Sequence, residues 1–180
     1  MSVNNNLTLG LTLGFYFKTL RQIFEKPKKF FTELPEDISL KQPLFFLAVS
    51  GLLFSIFSVI SRMPIKQPLV WGGIFFINAL GMTFIASGIG YMIMIMIMGK
   101  QQHRVGFVRF FSIYAFSTGL TLLAAWAPFF IYLTEPWKWW LIGNGMIRNF
   151  GFQLKHVVII AGISILVIAL LFMSLGLAQK

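Results

Sequence analysis

The charged residues of this chain are distributed in a way that a soluble fold does not allow. Only one acidic residue, Glu135, lies beyond position 37, whereas ten of the fifteen Lys and Arg residues do. The rest of that stretch consists of apolar runs of membrane-crossing length joined by short basic loops. A bilayer core excludes charges of both signs and leaves cations at the cytoplasmic rim. The chain is therefore predicted to be an all-α, polytopic integral membrane helical bundle.

The overall composition excludes the soluble class and several kinds of chemistry. Hydrophobic residues make up 57% and charged residues 11% of the chain, against about 45–50% and about 25% in soluble domains. The chain has no Cys, which excludes disulfides, thiolate catalysis and cysteine metal sites. The net charge of +10 comes from cations that flank lipid-length segments. This favours anionic lipid headgroups over nucleic acid as partners.

The first 41 residues are predicted to stay outside the bilayer core. Residues 1–14 are expected to be a flexible N-terminal arm, and residues 15–41, called the amino-terminal segment below, a cytoplasmic amphipathic interfacial segment. Its apolar residues Phe17, Leu20 and Phe24 fall at helical spacing, and Pro27 separates two short helices. We expect the segment to lie flat among lipid headgroups, although a plain topology signal explains its charges equally well. The expected membrane-interface residues are Phe24, Lys26, Lys28, Lys29, Phe30 and Phe31.

Five apolar stretches are predicted to form the transmembrane bundle, which occupies residues 42–180. The first begins near Pro43, after a capping-box pair formed by Ser39 and Gln42. The second is expected to begin after interfacial residues 71–73, because residues 69–98 would be about 45 Å long as one helix. The predicted spans are 43–61, 75–98, 108–130, 137–152 (short or partial) and 157–177. For residues 137–152, a short span, a half-span and a surface helix all remain open.

The cations on either side of these spans predict the orientation. With five crossings, eleven Lys and Arg lie on the side of the amino terminus and four on the other side. Without the fourth crossing the division is ten and five, and the carboxyl terminus then lies inside. Basic loops stay on the cytoplasmic side. We therefore expect a cytoplasmic amino terminus and a multi-pass location in the cell inner (cytoplasmic) membrane.

The spans lack the groups that proton or ion coupling requires. Pumps and coupled transporters place a titratable group inside the bilayer, whereas no Asp or Glu falls in the clear spans and His103 and His156 fall in predicted loops. The run MIMIMIM at residues 92–98 invites a Cu(I) site, but Met is also an ordinary packing residue. We expect no catalytic residue, no cofactor and no metal ion.

Small residues recur at helical spacing in the first two predicted spans. Small side chains let helix backbones approach closely in lipid, so these stripes are expected to face each other; an oligomer seam is the less favoured alternative. The polar residues Asn78 and Asn144 are expected to form interhelical hydrogen bonds. The helix-packing residues are Ala48, Gly51, Ser55 and Ser58 in the first span, and Ala79, Thr83, Ser87 and Gly90 in the second.

The order of these features resembles a known family. The sequence PKKFFTELPED, the opening Leu40–Leu44 of the first span, and Tyr114-Ala115-Phe116-Ser117 in the third resemble the Yip (Ypt-interacting protein) domain family of multi-pass membrane proteins. The resemblance covers roughly residues 18–177. It implies five spans and a cytoplasmic amino terminus.

The match to the longer family motifs is partial. Family members carry Asp-Leu-x-Gly-Pro before the first span and a Tyr-Gly-Tyr-like element in the third. Three positions match (Leu40, Pro43 and Tyr114), and four depart (Ser39, Gln42, Ala115 and Phe116). Eukaryotic relatives are associated with prenylated Rab GTPases and vesicle trafficking. The short amino-terminal region here is more similar to prokaryotic-type members.

Three functions are compatible with these observations. The leading hypothesis is a non-enzymatic, Yip-like membrane protein that acts as scaffold or adaptor. The first alternative is an accessory subunit of a larger membrane protein complex, and the second is a small transporter or lipid-handling protein. The expected partners are membrane lipids with anionic headgroups and other membrane proteins, in a hetero-complex or a homo-oligomer, and not nucleic acid.

Overall fold

The computed structural model describes residues 12–99 and 105–177, with residues 172 and 174–177 described by their backbone only. Residues 1–11 of the expected arm, and His103, lie outside these ranges. Helices account for 85% of the structure and the described ranges contain no strand, so the predicted all-α fold is confirmed. The elements are α1 (Leu13–Glu25), α2 (Pro27–Thr32), α3 (Lys41–Ile60), α4 (Pro68–Met98), α5 (Phe107–Ala125), a 3₁₀ turn (Pro128–Phe130), α6 (Ile131–Phe150) and α7 (Leu154–Leu177).

Four helices are long and apolar enough to cross a membrane. They are α3, α4, α5 and residues Leu154–Leu171 of α7, which confirms a multi-pass membrane protein. Helix α6 is not one of the four. It has 20 residues and is therefore about 30 Å long, close to the thickness of the hydrocarbon core.

The second predicted span is one continuous helix. Helix α4 has 31 residues, about 47 Å, which exceeds the hydrocarbon core by about 17 Å. Pro68 stands at its first turn, where a missing N–H costs little. Residues 71–73, expected at the membrane interface, belong to this helix, and the Gly72 carbonyl accepts a 2.6 Å hydrogen bond from Ser55 Oγ of α3.

Helices α5 and α6 form an antiparallel hairpin. Helix α5 ends at Ala125, five residues before the expected end, because Pro128 cannot continue the helix and begins the 3₁₀ turn instead. Helix α6 begins at Ile131 and continues through Pro136. It returns along the full length of α5, with Gly145 against Ile113 and Asn149 against Arg109. The two ends of the bundle are called the Arg109 end and the Pro128 end below.

Helix α5 forms the centre of the bundle. Residues 109–117 are all buried, and α5 contacts α3, α4 and α6. The outer faces of α4 and α7 are apolar and exposed, as lipid-facing surfaces are. The methionine run divides between these environments: Met94 is fully buried, whereas Met92 and Met96 are exposed. This arrangement assigns Met94 to core packing.

Candidate functional site

The amino-terminal segment folds into two helices because of local signals. Thr12 Oγ1 accepts a 3.3 Å hydrogen bond from the Phe15 N–H and caps α1. Pro27 opens α2 and has no N–H with which to continue α1. Along α1, Arg21 and Glu25 form an exposed ion pair at 2.7 Å, which adds only a few tenths of a kcal/mol, about 0.3–0.5. Local signals therefore define the two helices, and tertiary contacts must hold them in place.

Tyr16 anchors α1 to the bundle. Its side chain is 1% exposed, its hydroxyl lies 3.0 Å from Ser50 Oγ of α3, and its ring centroid lies 5.0 Å from that of Phe46. Burial raises the pKa of Tyr16, while the hydrogen bond with Ser50 acts in the opposite direction. The phenol is therefore neutral at physiological pH and stabilises the docked helix.

Asn149 of α6 caps the end of α2. Its Nδ2 donates to the carbonyl oxygens of Phe31, at 3.0 Å, and Leu34, at 2.9 Å. The last carbonyls of a helix have no partner within the helix. One side chain from a distant part of the chain therefore satisfies two backbone groups of the amino-terminal segment.

Arg109 holds Asn149 in this position. Its Nε donates to Asn149 Oδ1 at 2.7 Å, and its Nη2 donates to the Asn149 carbonyl at 2.9 Å. Its Nη1 lies 3.2 Å from Glu36 Oε1, although the arginine itself is only 6% exposed. The guanidinium donates in several fixed directions at once, which Lys cannot do. Arg109, Asn149 and Glu36 are called the arginine cluster below.

The amino-terminal segment packs along the side of the bundle. It does not form a layer across the Arg109 end of the bundle. At the Arg109 end, α2 is bonded to Asn149, whereas Phe24 stacks on Trp137, with ring centroids 5.9 Å apart, near the Pro128 end. Phe24 also lines a groove with Ala124 of α5, and Arg109 and Ala124 are about 22 Å apart along that helix. The two helices thus extend along most of the length of α5. Buried residues on both helices pack against side chains of the bundle there.

The six expected membrane-interface residues divide between two environments. The side chains of Phe24, Lys26, Lys28 and Lys29 are exposed. Phe31, by contrast, is fully buried, and half-buried Phe30 contacts Phe116 edge-to-face at 5.1 Å. The placement of these two phenylalanines in the headgroup layer stays a prediction, and in the structure neighbouring helices cover Phe31 fully and Phe30 in part.

The charged faces of α1 and α2 enclose a cavity of about 510 Å³, called the basic cavity below. Its floor is apolar and includes Phe30, Leu34 and Phe116. Its rim carries four cations and two carboxylates. These are Lys18, Arg21, Lys26, Lys29, Glu25 and Glu33.

A second cavity, of about 470 Å³, lies among α3, α4, α5, α6 and α7 and is called the inner cavity. Asn78, Thr118 and Thr121 contribute polar atoms to its wall. Near the Pro128 end, Lys138 and Glu135 form an ion pair at 2.6 Å beside it. The rest of its wall is mainly apolar, with residues such as Phe54, Leu122 and Ile165.

The helix-packing residues lie largely inside the bundle. Ala48 is half-buried, and the other seven are buried. A Cβ added at Gly51 would lie 2.8 Å from Leu80 Cδ1, so α3 and α4 approach closely there. Gly90 instead faces α5, where an added Cβ would overlap the Tyr114 hydroxyl. The expected pairing of the two stripes thus does not extend to Gly90, because α4 is longer than α3 and continues past its end.

The arginine cluster was not recognised in the sequence. Arg109 lies at the start of the predicted span 108–130, where a cation usually projects to the interface. Asn149 is 118 residues from Phe31, so no local pattern connects them. The one local signal is the adjacent polar pair Arg148 and Asn149 at the end of α6. Asn144, expected to bond between helices, instead donates to Trp140 of its own helix.

Comparison with known proteins gives one match. The family model described as Yip1 domain matches residues 21–176, most of the chain. The matched region includes α2, the arginine cluster and all four apolar helices. No curated protein and no solved structure matches the chain.

Proposed function

Because this chain belongs to the Yip1 domain family of multi-pass membrane proteins, we propose that it is a non-enzymatic scaffold or adaptor of the inner membrane. The excess of Lys and Arg on the side of the amino terminus supports a cytoplasmic amino terminus. Its partners are membrane lipids and other membrane proteins. The amino-terminal segment is the surface that binds a partner.

The fixed geometry of the amino-terminal segment is the observation that supports this function. Arg109, Asn149 and Tyr16 hold α1 and α2 on the bundle through buried polar bonds. The docked segment also exposes Phe17, Phe24 and Lys28. A rigid surface with exposed aromatic and basic side chains binds a partner at low entropic cost. In the arginine cluster, the side chains bond to each other and to backbone, which suits positioning rather than acid–base chemistry.

Site-specific photo-crosslinking in native membranes tests the adaptor role. A photoreactive phenylalanine analogue at Phe17 should crosslink to a protein. The same analogue at Ile77, equally apolar and exposed on α4, should crosslink only to lipid. No protein crosslink from position 17, or equal protein crosslinking from both positions, would contradict the proposal.

The inner cavity favours a second candidate, a small transporter or lipid-handling protein. The Asn78 side chain has no hydrogen-bond partner within the described residues and lines the cavity with Thr118. Native mass measurement after gentle detergent extraction separates the candidates. A bound lipid or solute supports this second function, a stoichiometric partner supports an accessory subunit, and a monomer or homodimer supports the adaptor.

A further inference from the structure

The basic cavity extends alongside a helix that is able to cross a membrane. Its wall includes Gln42, at the start of α3, and Phe116, which is the middle residue of α5 (Phe107–Ala125). Helix α5 is one of the four helices able to cross a membrane. The cavity therefore extends from the start of α3 to the middle of α5.

The rim of this cavity carries more positive than negative charge. Glu25 is paired with Arg21 at 2.7 Å, and Glu33 with Lys29 at 3.7 Å. Lys18 and Lys26 also line the cavity, and neither has an ion-pair partner within residues 12–99 and 105–177. A cation at bilayer depth is costly without water or an anion beside it. The rim thus has two cations without a counter-charge among the described residues.

The floor of the cavity is suited to hydrocarbon. Phe15, Phe30 and Phe116 line it together with Leu34 and Ile38. The volume of about 510 Å³ lies within the range of small-molecule sites, about 300–1,000 Å³. An occupant that matches both surfaces has an anionic group at one end and a chain of methylenes at the other.

We propose that the basic cavity is a binding site for one anionic phospholipid of the surrounding leaflet. Lys18 and Lys26 bind the phosphate, and the first methylenes of an acyl chain lie on the aromatic floor. A free phosphate ion would have to leave water to reach the level of Phe116. A lipid already places its phosphate near the membrane surface and its acyl chains at the depth of the bilayer interior. This site would exist whether or not the chain recruits a protein partner.

Native mass spectrometry of the full chain, titrated with defined lipids, tests the site. The probes are phosphatidylglycerol, phosphatidylcholine and inorganic phosphate. The test variant is Lys18→Gln/Lys26→Gln. The matched control is Lys28→Gln/Lys41→Gln, which removes two cations from the same region that do not line the cavity. A third variant, Lys18→Arg/Lys26→Arg, keeps the charge. Helix content by circular dichroism checks that each variant is folded.

The wild-type protein should retain one phosphatidylglycerol and bind phosphatidylcholine more weakly. The test variant should bind phosphatidylglycerol about 20- to 30-fold more weakly, as expected for two cations near an anionic lipid. The control and the arginine variant should stay within about threefold of wild type. Equal losses in the test and control variants would overturn the proposal, since the attraction would then be nonspecific. Displacement of the lipid by millimolar inorganic phosphate would overturn the assignment to a lipid.

Discussion

Asn149 connects two parts of the chain that are far apart in sequence. Its Oδ1 accepts from Arg109, and its Nδ2 donates to two carbonyls of the amino-terminal segment. An unpaired backbone carbonyl in a buried position costs about 1–3 kcal/mol. The Asn149 amide thus stabilises the fold in two ways: it forms hydrogen bonds, and it prevents two backbone carbonyls from being left unpaired.

Replacement of Asn149 should release α2 from the bundle. Asn149→Ala is expected to destabilise the docked segment by about 2–3 kcal/mol, because two carbonyls and the guanidinium lose their partner. Hydrogen exchange of residues 27–36 in detergent would show this as faster exchange. Asn144→Ala is the control, because that amide bonds only within its own helix. Similar exchange in both variants would contradict the role assigned to Asn149.

Tyr16 should make docking of α1 sensitive to alkaline pH. Its pKa is raised above the ordinary value of 10.0 by burial. The docked phenol therefore keeps its proton at a pH where a released phenol ionises, so its contribution to stability is complete below pH 10 and is lost as pH rises through the raised pKa. Tyr16→Phe should cost about 1 kcal/mol at neutral pH, through the lost bond to Ser50.

Thermal unfolding from about pH 8 to 11, followed by circular dichroism, measures this effect. All other side chains are the same in both proteins, so the difference between wild type and Tyr16→Phe isolates the phenol. That difference should shrink above pH 10. A constant difference over the whole range would show that Tyr16 does not couple docking to pH.

Close contacts at glycines determine how the helices fit together. At Gly119 of α5, an added Cβ would lie 2.7 Å from both Cδ1 and Cε1 of Phe46 on α3. An aromatic ring in a packed core cannot move aside easily, and overpacking costs about 1–3 kcal/mol. Gly88 of α4 has no atom within 4 Å of the corresponding position.

Gly119→Ala should therefore lower the melting temperature of the detergent-solubilised protein. Gly88→Ala should leave it unchanged or raise it slightly, because alanine is favoured over glycine inside a helix by about 0.5–1 kcal/mol. Equal shifts for the two variants would mean that α3 and α5 do not pack closely at Gly119.

The sequence predicts the apolar helices well and the polar ones less well. Helices α3 and α7 are continuous apolar runs of membrane length, so composition alone locates them within a few residues. Helix α6 contains Pro136 and several polar residues, and its start depends on packing against α5, which no local pattern records. The burial of Phe31 was missed for a related reason. An apolar helix face looks the same in sequence whether lipid or protein covers it.

The number of membrane crossings determines the side of the membrane on which the carboxyl terminus lies. We propose that α6 crosses the membrane, because it runs beside α5 over its whole length, which gives five crossings and a carboxyl terminus opposite to the amino terminus. The absence of native Cys allows single-cysteine labelling. Lys180→Cys should react from the same side as Met63→Cys, in the turn between α3 and α4, and from the opposite side to Ser39→Cys. Reaction from the side of Ser39→Cys would indicate four crossings.

The contact between Asn149 and Phe31 has a consequence for the order of events during synthesis. These residues are 118 positions apart, and ribosomes add about 5–20 residues per second. Phe31 is therefore made about 6–24 seconds before its partner. During that interval the basic residues of the amino-terminal segment are free to act as a retention signal on the cytoplasmic side. The same residues can first direct insertion of the early helices and later, once α6 is made, become a fixed part of the finished bundle.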